Sequence, residues 1–206
     1  MIDEYLDFFP FVRLDDFSPF MKTAVEQYAK AASDKFYKDE LDSLTREYRR
    51  TKPVIEAHCR SGIRKEIGFA LIHKLNPITS VDFEIYEDKK ADRYDIAIGK
   101  SKLDITTANP LGLEQYNENT FKLAFSLSKD KYQSILDRSR SDWYLVNEIA
   151  FLKQKNRRIY YFGQMTVKDL LSRKHSKEKK DGKIIYCFIA KGKQTKSRLS
   201  KEIILT

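Results

Sequence analysis

The sequence predicts a mixed α/β domain, and a change of pattern along the chain carries that prediction. Up to about residue 75, apolar residues recur at helical spacing; from Val81 onward they alternate with polar ones, as in strands. No internal repeat and no Pro/Gly/Ser-rich linker divides the 206 residues, so one domain with a sizeable core is expected.

The first helix is entered at Ser18-Pro19, with Ser as N-cap and Pro at the first helical position. Phe20, Ala24, Tyr28, Ala32 and Phe36 follow at four-residue spacing and predict its apolar face. Charged residues continue to Arg50, and Lys52-Pro53 is expected to end the run. A second helix is predicted over Val54 to Leu75, with Ile63, Ile67, Ala70 and Leu71 inward and Asn76-Pro77 closing it. Val81 to Tyr86 then alternates like a strand. Tyr94 to Ile98 and Lys102 to Thr106 read as a hairpin around Gly99-Lys100, and Asn109-Pro110 is expected to break the second strand. Phe121, Leu123 to Phe125, Leu127 and Tyr132 recur near helical spacing and predict a helix over Glu118 to Leu136. Trp143 to Leu152 and Arg158 to Phe162 are strand-like, Thr166 to Leu171 reads as a short helix, and Ile184 to Ala190 as a last strand.

Composition narrows the function classes. No apolar run approaches the ~18–20 residues of a membrane helix. The N-terminus is acidic and lacks the basic lead and cleavage site of a secretory signal. Cys59 and Cys187 are far apart and without metal-type spacing, so a reducing, cytoplasmic setting is expected rather than a disulfide framework. The net charge of +9 is unevenly spread. Ser172 to Lys201 holds eleven Lys/Arg against two acids, a balance that suits a polyanion but also an ordinary solvated surface. Within it, Lys191, Lys193, Gln194, Lys196 and Arg198 are candidate contacts to phosphates or base edges. Neither a P-loop nor a dinucleotide-binding glycine motif occurs, so no nucleotide cofactor is expected.

The chemistry concentrates in DRYDIAIGKSKLDITTANP, residues 92–110. Residues two apart in a strand share a face, roughly 7 Å from each other. Lys102, Asp104 and Thr106 therefore share one face, while Leu103 and Ile105 point the other way into a core. Hairpin pairing brings Asp95 toward that face. Two converging carboxylates repel unless a cation lies between them, and oxygen donors of this kind suit Mg²⁺ or Mn²⁺. His58-Cys59 does not make a thiol dyad, because adjacent helical residues diverge by about 100°. His73, Trp143, Tyr144, Tyr160 and Tyr161 read as core or boundary residues.

At these residues the chain resembles the PD-(D/E)XK nucleases, the restriction-endonuclease-like family. Asp95, then eight residues, then Asp104-Ile105-Thr106 resembles the family signature. Glu66, in GIRKEIGFALIHKL, resembles the acidic residue on the helix before the catalytic sheet; RRIYYFGQMTVKDLL resembles a later strand and short helix. The resemblance covers residues 54–171. It implies a restriction-endonuclease-like core there, a mixed central sheet flanked by helices, with an N-terminal helical segment (1–53) and a basic C-terminal segment carrying a strand (172–206). It also implies a Mg²⁺-dependent endonuclease acting on duplex DNA, with a homodimer as the family's habit. Asp95 and Asp104 would be metal ligands, the Ile105 carbonyl a backbone ligand, and Glu66 a helper for a second ion or the attacking water. Thr106 departs from the pattern, standing where the family usually has a lysine. Lys102, one step the other side of Asp104, is the candidate replacement and Lys100 a lesser one. A catalytically inactive nucleic-acid-binding or interaction module on the same scaffold is the alternative.

Overall fold

The computed structural model describes residues 5–42, 50–85, 95–98, 101–107, 109–117, 120–128, 146–166, 177–178 and 183–191. Three helices come first, after a short strand: β1 (Phe11–Arg13), α1 (Pro19–Asp42), α2 (Lys52–Ile72) and the single turn α3 (Pro77–Ser80). Eight strands follow: β2 (Ile96–Ile98), β3 (Ser101–Thr107), β4 (Asn109–Asn117), β5 (Thr120–Ser128), β6 (Val146–Lys153), β7 (Arg158–Thr166), β8 (Lys177–Glu178) and β9 (Lys183–Lys191). The mixed α/β class stands. The strands divide into a five-stranded sheet, β1-β7-β6-β3-β2, and a four-stranded antiparallel sheet, β4-β5-β9-β8. In the first sheet β3 and β6 are parallel; the other pairs are antiparallel.

Ser18 caps α1 through its Oγ, which accepts from the Met21 N–H at 3.2 Å. The buried face of α1 is turned from the expected one. Val25, Ala29, Ala32 and Ser33 are its buried residues, Ala32 alone from the expected set, whereas Phe20 is 63% exposed and Phe36 36% exposed. Small side chains at that seam let α1 and α2 lie close, and the bulky rings that share the four-residue spacing fall outside it. The helices run antiparallel, clamped by the Lys52–Asp34 ion pair near one end and the Arg60–Glu26 pair (2.8 Å) further along.

Lys52-Pro53 opens α2 instead of ending α1, as a proline in the first turn of a helix does. Ile63, Ile67 and Ala70 are fully buried, as their spacing predicts. The helix stops at Ile72, and Lys74 takes a left-handed φ of 56° just beyond. Asn76 caps α3, accepting from the Ile78 N–H at 3.0 Å. Along α2, Gly68 is where the sheet comes closest: a Cβ there would collide with the Tyr161 hydroxyl and lie 2.7 Å from Val12 Cγ1. Tyr161 donates its hydroxyl to the Lys65 carbonyl at 2.6 Å, locking β7 to the helix.

Four further expectations are corrected. Val81 makes only an isolated bridge to Ile96, and residues 82–85 form no strand. Asn109-Pro110 does not end strand structure; it begins β4, pairing there with Ser126 and Phe125 of β5. The helix predicted over Glu118 to Leu136 is strand β5 where described. Phe121, Leu123, Phe125 and Leu127 are odd-numbered, so they obey a period of two as well as a helical one, and pairing with both β4 and β9 selects the strand. Thr166, the expected start of a short helix, is the last residue of β7. Residues 167–171, Trp143, Tyr144 and His175 lie outside the described residues.

The main core lies between α2 and the five-stranded sheet and includes Ile63, Ile67, Phe69, Ile96, Leu103, Ile105, Ile159 and Tyr161. A second aromatic cluster joins the sheets. Phe121 on β5 packs edge-on to Phe9, its ring centroid 5.2 Å away, and Phe9 packs edge-on to Phe162 of β7 at 4.9 Å. Among the described residues, no helix is long and apolar enough to cross a membrane.

Candidate functional site

A cleft of about 320 Å³ opens between α1, α2 and the segments at 82–84 and 95. Glu66, Asp82, Glu84 and Asp95 are its acidic lining residues, Arg50 and His58 its basic ones. Tyr28 and Phe36 of α1 and Ile55, Cys59, Gly62 and Ile63 of α2 complete it.

Backbone pairing explains why Asp95 reaches this place. The β2–β3 register ends at Ile96 opposite Leu103, and Asp95, the residue before it, bends out of the ladder while its N–H still reaches the Leu103 carbonyl. Past that point, among the described residues, no strand lies beside β3 on the β2 side, and the Ile105 N–H takes a side-chain acceptor. The Asp95 side chain supplies it: Oδ2 accepts from the Ile105 N–H at 2.5 Å, while the Asp95 N–H donates to the Leu103 carbonyl at 3.0 Å. In a strand a residue's N–H and C=O project to the same side. The Ile105 carbonyl thus lies along the same strand edge as the Asp95 carboxylate.

Asp82 and Glu84 enter through the neighbouring segment. The Asp82 N–H donates to the Asp95 carbonyl at 3.1 Å, and the Asp82 carboxylate accepts from the Glu84 N–H at 3.0 Å. Reading 81–86 as a plain strand hides this turn. The alternating acids at 82 and 84 were the available sign that one side of the segment is polar.

The candidates named from sequence are brought together in part. Asp95 and Glu66 both line the cleft. Asp104 is 1% exposed and is not one of the lining residues; Leu103 and Ile105 on either side of it are buried in the core, as alternation requires. Lys102 and Thr106 are located by backbone register only, opposite Ala97 of β2 and Ile149 of β6. Lys191 ends β9, opposite Thr120. Lys193, Gln194, Lys196 and Arg198 lie outside the described residues.

Lys65 is the residue that sequence reasoning passed over. Between Arg64 and Glu66 it reads as part of a charged helix edge, yet it is 2% exposed, with Nζ donating to Ser61 Oγ at 2.8 Å. Burial pushes its ammonium down to about 8, against the pull of the Glu66 and Asp95 carboxylates in the other direction. The helical spacing with the buried Ile55, Ile63 and Phe69 offered a weak signal, since Lys65 falls between residues of that inward arc. His73 is held below its ordinary value by burial and stacks on Phe69, with ring centroids 4.1 Å apart.

Magnesium commonly takes one or two carboxylates, completed by water and phosphate oxygens. Asp95, Asp104 and the Ile105 carbonyl are hard oxygen donors of that kind, with Glu66 a further carboxylate in the cleft, so the chemistry of the donor set fits the ion. Among the described residues, no three His, Cys, Asp or Glu side chains gather as a metal-binding group. Comparison with protein-family models, curated proteins and solved structures gives no significant match to the chain.

Proposed function

We propose that the chain is a Mg²⁺-dependent endonuclease of restriction-endonuclease-like type, hydrolysing phosphodiester bonds in DNA. The observation that carries this reading is the Asp95 carboxylate bonded to the Ile105 N–H, one residue from Asp104 on β3, at the edge of a cleft Asp95 shares with Glu66. Asp95, Asp104 and the Ile105 carbonyl are the residues that would hold the ion, which when bound neutralises charge on a phosphate and lowers the pKa of a coordinated water. Glu66 orients the attacking water from α2. Lys102 supplies positive charge from β3 in place of the lysine that Thr106 replaces, and the basic residues Lys191 to Arg198 hold the DNA backbone.

A second reading, a nucleic-acid-binding or interaction module without catalysis, is favoured by a specific observation. The Asp95 carboxylate already has a structural task at the Ile105 N–H, and Asp104 is almost wholly buried. Incubation of labelled single- and double-stranded DNA with the protein, in Mg²⁺ and in EDTA, separates the two. Cleavage that requires Mg²⁺ and is lost in Asp104→Asn is the expected result. DNA binding without cleavage, together with no uptake of Mg²⁺ or Mn²⁺ in calorimetry, overturns the nuclease reading.

A further inference from the structure

Along the α2 wall of the cleft, Arg50 and His58 stand toward one end and Glu66 toward the other, while Phe83, between Asp82 and Glu84, packs edge-on to Tyr28 at 6.2 Å. The ion pairs Asp34–Lys52 and Glu26–Arg60 fix α1 and α2 antiparallel, so Phe36 and Arg50 fall at one end and Glu66 at the other. The Arg50 guanidinium stands 3.4 Å from His58 Nδ1. His58 and Glu66 are eight residues apart on α2, about 12 Å along its axis. Tyr28 and Phe36 present rings from the α1 wall.

We propose that the Arg50–His58 end of this cleft, with Tyr28 and Phe36 beside it, is a subsite for an unpaired nucleotide of the same strand whose phosphate lies at the Glu66 end. The inference rests on the nucleic-acid reading above and specifies the substrate as a single strand, or a strand opened next to the cut. A phosphate is repelled by the Glu66 carboxylate and attracted by the Arg50 guanidinium. The two ends are several times farther apart than the ~3.4 Å axial rise per nucleotide of a duplex strand, so they serve different nucleotides. A paired base has both faces covered by its neighbours; only an unstacked one can offer a face to Tyr28 or Phe36.

Fluorescence anisotropy in Ca²⁺ with a labelled oligothymidylate of about ten nucleotides, against a duplex of equal length, tests the subsite. The single strand is expected to bind more tightly. Phe36→Ala is expected to weaken it about five-fold or more, the low end of the loss of one base stack. Arg50→Glu, at an exposed position, is expected to weaken it and to reduce the salt slope by ~0.7 or more. Circular dichroism of both variants should match the wild type. Tighter binding of the duplex, or variants that bind the single strand like the wild type, overturns the subsite while leaving the nuclease reading intact. No binding of either DNA overturns both.

Discussion

Asp95→Asn and Asp95→Ala together separate what this carboxylate does for the fold from what it does for the chemistry. The Ala variant removes the acceptor of the Ile105 N–H, a 2.5 Å bond to a charged group, and strands a donor on a strand whose neighbouring side chains are buried. Leaving such a donor unsatisfied costs about 1–3 kcal/mol. For a chain of this length each kcal/mol lowers Tm by roughly 2–4 °C, so the expected fall is about 2–12 °C. The Asn variant keeps an amide oxygen in the same place and loses only the charge. Its Tm is expected within about 3 °C of wild type, at the cost of a weaker, neutral hydrogen bond. Thermal melts followed by circular dichroism give the first readout, and Mg²⁺-dependent cleavage the second. Loss of cleavage in the Asn variant at near-normal Tm is the expected pattern. An Ala variant as stable as wild type refutes the strand-capping argument, and an Asn variant with full activity refutes the metal-binding one.

Gly68→Ala should destabilise the protein by about 1–3 kcal/mol, because the overpacking against Tyr161 and Val12 exceeds the ~1 kcal/mol that alanine gains in a helix; urea denaturation measures it, and a stabilised variant would contradict the close approach of α2 to β7. Lys65 binds its proton less tightly folded than unfolded, so the unfolded state holds more protons between about pH 8 and 10.5 and stability rises with pH across that window. Below pH 8 the penalty is constant. Lys65→Met should therefore raise stability at neutral pH and flatten the rise between pH 8 and 10.5 relative to wild type, and parallel pH profiles for the two proteins would refute the assignment.

The helical half of the chain was legible where local chemistry decides conformation. Ser18-Pro19 starts α1 as a capping residue followed by proline should, and Ile63, Ile67 and Ala70 face the core of α2. What spacing could not supply was which of several apolar arcs meets a partner. Phe20 and Phe36 have the hydrophobicity for a core, but the α1–α2 seam accepts alanines. The four-stranded sheet was hidden for a related reason. Dense apolar residues at 121–127 satisfy both periods, and the tie is broken by β4 on one side and β9, about sixty residues away, on the other. At the site, Asp95 and Glu66 were readable as residue types at suggestive spacing. The acids at 82 and 84 and the buried Lys65 were marked only faintly, by alternation and by helical spacing, since their places follow from a backbone bond to Asp95 and from the depth of α2 in the fold.

β3 and β6 lie side by side, yet the chain between them leaves to build β4 and β5 in the other sheet. Nine residues of β5 then pair with β9, from Thr120 opposite Lys191 to Ser128 opposite Lys183. During synthesis β5 leaves the ribosome with one flank bare and keeps it so until β9 emerges. An apolar strand waiting in that state is open to capture by another nascent chain. A polypeptide truncated before residue 183 would keep that flank bare for good, and should collect in inclusion bodies even though every residue of the α2 core is present.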